Sequence, residues 1–250
     1  MAIKITPHDH EVFKRNFLKS VVCQIKVQPI FRIASELPAQ FQEKVRKDYP
    51  AVQEEKSVQV EVRGQETQQR SLGSTWRFNS DDGYWAVTLD SAFIALETKT
   101  YQSFTDFRSR FEKIYDAYMT TYEPSQPERI GLRYINVIKP VNVRTLKDWT
   151  SWVRPELMGL IATDQVEEPI IHDFKELRTL QNPGFMTVRH GLIVDQDKSR
   201  VYLIDADRYI QGAKNQQETA MLLKQFNEDC YNFYRWAIGN EAVKWMSEGA

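Results

Sequence analysis

Glycine, cysteine and uninterrupted apolar sequence are all scarce in this chain, and each scarcity removes a class of function. Ten glycines in 250 residues leave no Gly-rich segment to cradle a phosphate through backbone N–H groups, and neither a GxGxxG turn nor a Walker loop is present. A GxSxG elbow and an HExxH helix are missing as well. No cofactor is therefore expected. The two cysteines, Cys23 and Cys230, lie far apart in apolar surroundings and read as small buried hydrophobes, not as halves of a disulfide. Without a CxxC pair there is neither a thiolate zinc site nor a thioredoxin-type motif.

No apolar run is long enough to span a bilayer, and residues 1–10 contain no apolar signal region. The sequence reads as a soluble, cytoplasmic protein with no membrane partner. Charge of one sign is lacking too. Lys and Arg number 33 against 34 Asp and Glu, and up to residue 125 there are 17 of each. Neither half is basic, so a broad electrostatic footprint for nucleic acid is absent and nucleic acid is not an expected partner.

What is present is a core and a repeated pattern. Apolar residues make up 42% of the chain and aromatics 12%, enough to bury a folded interior. Residues 93–101 read as a strand, followed by helically spaced Phe104, Phe107, Phe111, Tyr115 and Tyr118. About 110 residues later, residues 202–210 repeat the strand and Leu222, Leu223, Phe226, Cys230, Phe233 and Ala237 repeat the helix. Self-similarity at this period predicts a duplicated unit.

The remaining elements agree with it. A short amphipathic lead-in (Val12, Phe13, Phe17, Leu18) precedes a strand at 21–27, and a surface helix is predicted over 36–47 with Pro38 in its first turn. Val58, Val60 and Val62 alternate with polar residues as a half-solvated strand, and Ser80 to Gly83 joins two strands in a hairpin. Ser103 is placed to cap the aromatic helix, with Asp106 three residues on. Pro124 and Pro127 mark a linker at 123–128 between halves 1–122 and 129–250. The second half then reads as a strand at 129–138, a helix near 146–160, strands near 170–178, 185–194 and 200–209, and the final helix. The expected fold is α+β, two similar strand–helix–antiparallel-meander–helix halves forming a pseudo-duplicated structure.

Residues 17–23, Trp76-Arg77-Phe78 ahead of Asp82-Gly83, Thr100-Tyr101-Gln102-Ser103-Phe104, Gly131-Leu132-Arg133-Tyr134-Ile135-Asn136 and Leu203-Ile204-Asp205-Ala206-Asp207 occur in that order. Together they resemble an uncharacterised prokaryotic family of similar length, sporadically distributed among bacteria and archaea. The resemblance covers nearly the whole chain, and Gly-Leu-Arg-Tyr-Ile-Asn is its most specific part. The family often has Trp where this chain has Phe104. The resemblance implies a fold and, through its patchy distribution, a setting in antiviral defence or mobile elements. It implies no activity and no catalytic residues.

Several residues are candidates for chemistry. Asp205 and Asp207, two apart on a strand, project from one face and have the oxygen ligands a divalent cation takes; otherwise they mark the strand leaving the core. Their positions align with Leu96 and Thr98 of the first half, so the pair belongs to one half only. Arg133 and Asn136 sit on opposite faces of an apolar strand. Arg133 either grips an anionic ligand or forms an internal salt bridge, to Asp205 or Glu97. His8 and His10 alternate near the N-terminus, and His172 and His190 lack a visible third partner, so no acid–base constellation assembles. Trp236 and Trp245 on the C-terminal helical pattern suggest a docking surface for a partner or a second copy. The sequence thus favours a non-catalytic protein-binding or scaffold protein. The alternatives are a ligand sensor or enzyme with an anionic-ligand or metal site between the halves, or a nucleic-acid-binding accessory protein.

Overall fold

The computed structural model describes residues 6–63, 66–163, 165, 170, 172–212 and 216–248, without the side chains of 57–72, 216 and 217. Helix accounts for 34% and strand for 35%, the mixed content expected of an α+β chain. The chain divides into two compact units. The first comprises Ser20–Gly131 with Gln211–Met221, and the second comprises the N-terminal residues up to Lys19, Leu132–Ile210 and the residues from Leu222 onward.

The first unit opens with β1 (Leu18–Lys26), whose alternating Val21, Cys23 and Ile25 are fully buried. The surface helix predicted over 36–47 is two short helices, α1 (Phe31–Ser35) and α2 (Ala39–Val45). Pro38 separates them: it occupies the N-cap of α2, and the residue before a proline is pushed out of helical geometry. The meander β2 (Ala51–Arg63), β3 (Glu66–Asn79), β4 (Trp85–Asp90) and β5 (Phe93–Thr98) is antiparallel, and β5 pairs back onto β1 with Cys23 opposite Leu96. The strand expected at 58–62 lies within β2, while the burial of its valines falls outside the described residues. The Ser80–Gly83 hairpin forms as expected, with Gly83 at φ 69° and its N–H donating to the Ser80 carbonyl. Helix α3 (Phe104–Tyr122) buries Phe107, Phe111, Ile114, Tyr115 and Tyr118, and the Ser103 hydroxyl accepts from the Asp106 N–H, a cap worth about 1 kcal/mol.

In the second unit β6 (Arg129–Ile138), from Leu132 onward, is followed by the predicted helix of 146–160 in three pieces. These are a 3-10 turn at Leu146–Ser151, α4 (Pro155–Met158) and a second 3-10 turn at Gly159–Ala162. The breaks have visible causes. Pro155 holds Arg154 extended at ψ 136°, and Gly159 adopts φ 58°. Antiparallel strands β7 (Asp173–Leu180), β8 (Phe185–Val194) and β9 (Arg200–Gln211) follow, and β9 borders β6. Two helices close the chain, α5 (Gln216–Ala237) and α6 (Asn240–Glu248). Gly239 between them lies against Ser151, where a Cβ would sit 2.2 Å from its carbonyl oxygen.

The N-terminal lead-in is not helical. Residues 8–17 carry no regular secondary structure and bend at Lys14 and Arg15, whose N–H groups both donate to the Met246 carbonyl. Their anchor is Phe17, stacked on Trp245 at 4.3 Å. The core of the second unit gathers Trp149, Trp152, Met158, Met186, Tyr202 and Phe233. No helix among the described residues is long and apolar enough to cross a membrane.

Candidate binding surface

Strand alternation sorts the second unit's side chains into two sets. Val188, Ile204 and Ala206 face α5, where the Cys230 thiol meets the Ala206 carbonyl. The residues between them, Arg189 and Asp205, therefore point to the opposite face. The register sets Glu176 opposite Arg189, and Arg189 opposite Asp205. From β6, Arg133 donates through Nε and Nη2 to the two Asp205 carboxylate oxygens, each at 2.7 Å. Arg189 Nη1 stands 3.7 Å from Asp205 and its Nε donates to Glu176 at 2.6 Å. The result is a charged ladder across four strands, centred on a carboxylate.

The burial along this ladder is uneven. The Asp205 side chain is 3% exposed and that of Arg133 is 42%. A carboxylate so desolvated needs its guanidinium partners, and the hydrogen bond to Asp205 raises the pKa of Arg133. Of the two partners expected for Arg133, the structure selects Asp205. Glu97 instead pairs with Arg77 at 2.9 Å within the first unit.

This pairing bears directly on the sequence candidates. Asp205 occupies the Nε–Nη2 edge of Arg133, so an external anion gripping that edge would have to displace it. A cation at Asp205 and Asp207 would have to displace Arg133, and the described residues contain no group of three His, Cys, Asp or Glu side chains arranged for a metal. Asn136 is buried on the α5 side of β6, with Ile138 and Tyr134; the structure does not bring it to Arg133. Leu96, aligned with Asp205 in the sequence, lies opposite Cys23 in the β5–β1 register, and both are fully buried.

The other candidates are engaged within the chain. Trp245 carries Phe17 on its ring and Arg15 at 4.1 Å over it. Trp236 packs against Phe233, and Arg154 lies 5.5 Å over its ring. His10 stacks on Tyr231 at 4.1 Å, and the His8 N–H donates to Asn232. His172 stacks on Phe174. Both cysteines are buried and unpaired, and burial pushes both thiols up, away from nucleophilic use. His190 belongs to a buried chain: its Nδ1 lies 2.9 Å from the Tyr202 hydroxyl, which donates to the Leu157 carbonyl at 3.2 Å.

Sequence reasoning missed two features. Arg208 is fully buried, donating to Asp229 at 2.8 Å and to the Phe185 carbonyl at 3.1 Å, with its guanidinium 4.7 Å over Phe226. Its signal was parity: it continues the alternate series of Ile204 and Ala206. The second is the edge strand β7. It pairs with β8, and among the described residues no strand pairs with its other edge. Its charges are turned to internal use, Lys175 on Asp173, Glu176 on Arg189 and Arg178 over the Phe185 ring. Glu176 and Arg178 stay exposed even so, and beside them stand three exposed apolar side chains, Phe174 at 43%, Leu177 at 49% and Leu180 at 58%.

No family model matches the chain, and no curated protein is significantly similar to it.

Two measurements follow from this geometry. Arg133→Ala strands a buried carboxylate and is expected to cost about 3 kcal/mol in urea unfolding, and adding Asp205→Ala should recover part of that loss. Additive losses would show that the pair is not coupled. The second concerns His190, whose pKa burial lowers from its ordinary 6.5, with Lys175 adding to the effect and Asp173 opposing it. The folded state prefers the neutral ring. Its contribution is therefore complete above the unfolded value and lost as pH falls from 6.5 through the folded value. Stability should decline as pH falls below 6.5, and His190→Gln should flatten that slope.

Proposed function

We propose that the protein is a non-catalytic binding module whose β7 edge accepts an extended segment of a protein partner. The observation that carries this reading is the edge itself. An unpaired strand edge presents alternate N–H and C=O groups to an incoming chain, and soluble proteins ordinarily guard it with outward-facing charge. In β7 Lys175 pairs with Asp173 and Glu176 with Arg189; Glu176 and Arg178 remain exposed, and Phe174, Leu177 and Leu180 add apolar contacts on both faces. Backbone pairing would supply affinity and the three apolar residues selectivity, as in strand-addition recognition. The same edge accepts a second copy of the chain by the same chemistry. The engagement of Arg133 by Asp205 weighs against the rival anion-sensor reading at that residue.

We also read the two units as copies of one ancestral unit. Each runs first strand, short helices, antiparallel meander, long helix. In each the last meander strand borders the first strand, β5 on β1 and β9 on β6. The cytoplasm is the proposed setting, supported by two unpaired buried cysteines. A role in bacterial defence or mobile elements is proposed on the family resemblance alone.

Affinity purification from the native host tests the central reading. The wild-type chain should retain a stoichiometric protein partner or a second copy. The double variant Phe174→Lys, Leu180→Lys should lose it while unfolding at the wild-type temperature. Retention by that variant would contradict binding through β7.

A further inference from the structure

The residue pattern of β7 narrows what can pair with its open edge. The register to β8 sets Glu176 opposite Arg189 and Leu177 opposite Val188. Arg189 lies on the uncovered face and Val188 faces α5. Phe174, Glu176, Arg178 and Leu180 therefore project from the uncovered face, and Lys175, Leu177 and Thr179 from the other. Outward from Leu177 the strand is complementary to itself. The first residues on either side, Glu176 and Arg178, are opposite in charge, and the third, Phe174 and Leu180, are both apolar.

A strand that meets its own copy antiparallel across a two-fold axis opposes residues of the same face, so the axis passes through a residue and not between two. Each choice of residue sets a different register. An axis at Lys175, Glu176 or Arg178 places that charge directly against its own copy, and like charges directly opposite destabilise an antiparallel pair. An axis at Thr179 sets Arg178 against Leu180. An axis at Leu177 sets Glu176 against Arg178 twice, Phe174 against Leu180 twice and Leu177 against itself. The two charges can take these positions without leaving their present contacts. Arg189 engages Oε2 of Glu176, and the Glu176 side chain is still 51% exposed. The exposed Arg178 guanidinium lies 4.8 Å over the Phe185 ring and 5.7 Å over that of Tyr209, and no carboxylate among the described residues pairs with it. Its in-plane N–H groups are left for a carboxylate.

We propose that the occupant of the β7 edge is β7 of a second copy of this chain, antiparallel, with the two-fold axis at Leu177. The inference rests on the edge reading above and adds the partner and the register. Backbone pairing along residues 174–180 is joined by two reciprocal Glu176–Arg178 contacts on the uncovered face and by a Leu177 contact on the other. Such an isologous pairing covers the open edge of both copies and closes at two chains.

Sedimentation of the full chain at micromolar concentration, combined with cysteine cross-linking, tests it. The wild-type chain should sediment as a dimer. On mild oxidation Leu177→Cys should form a covalent dimer, because directly opposed Cα atoms lie about 4.5–5.5 Å apart, within disulfide reach. Thr179→Cys stands four residues from its own copy in this register, about 13 Å along the strand, and should not cross-link. Cys23 and Cys230 are both buried, so the wild-type chain sets the background. Arg178→Glu brings carboxylates face to face at two symmetric positions and should weaken the dimer about tenfold while unfolding at the wild-type temperature. A monomeric wild-type chain, or cross-linking at 179 as readily as at 177, would overturn the inference. A monomer whose β7 amides are protected from hydrogen exchange by a different host protein would overturn the second copy and leave the edge reading standing. β7 amides left unprotected in every complex would overturn both.

Discussion

Strand alternation against a one-sided helical cover is the constraint from which the rest of this structure follows. In the first unit α3 lies on the face that carries Cys23 and Leu96; in the second α5 lies on the face that carries Ile204 and Ala206. Antiparallel sheets tolerate one wet face, so every second residue is free to be charged. Asp205 occupies such a position yet is almost wholly buried, because Arg133 and Arg189 close over it. Arg208 occupies the opposite parity and meets α5, where Asp229, two backbone carbonyls and the Phe226 ring compensate its burial. The same strand thus carries two arginine–carboxylate arrangements on opposite faces, with the carboxylate buried in one and the arginine buried in the other.

The consequence for function lies at the margin of the ladder. Drawing Glu176 toward Arg189 and Arg178 toward Phe185 satisfies the uncovered face. It also engages the charges of β7, although Glu176 and Arg178 stay exposed alongside Phe174, Leu177 and Leu180. Internal electrostatics and edge availability are therefore linked: the strand that completes the ladder is also the one whose other edge no strand pairs among the described residues.

Much of the fold was legible because it rests on local rules. The Ser80–Gly83 hairpin and the Ser103 cap are each written in a few adjacent residues, and the cost of burying an unpaired charge made Asp205 one of two salt-bridge partners open to Arg133 beside an anionic ligand. The departures depend on longer range. The helix of 146–160 had helical spacing, but Pro155 and Gly159 override spacing with backbone geometry. Nothing local in the sequence shows that Phe17, far away along the chain, stacks on the ring of Trp245. The exposed edge of β7 is a property of strand order, and strand order is not written in any single segment.

Hydrogen exchange read by mass spectrometry, on the free chain and on the complex recovered from its host, tests the central claim most directly. The account predicts that amides of Asp173–Leu180 exchange readily in the free protein and gain protection in the complex, because an added strand pairs the open edge of β7. Protection confined to other segments, with β7 exchanging as before, would contradict it.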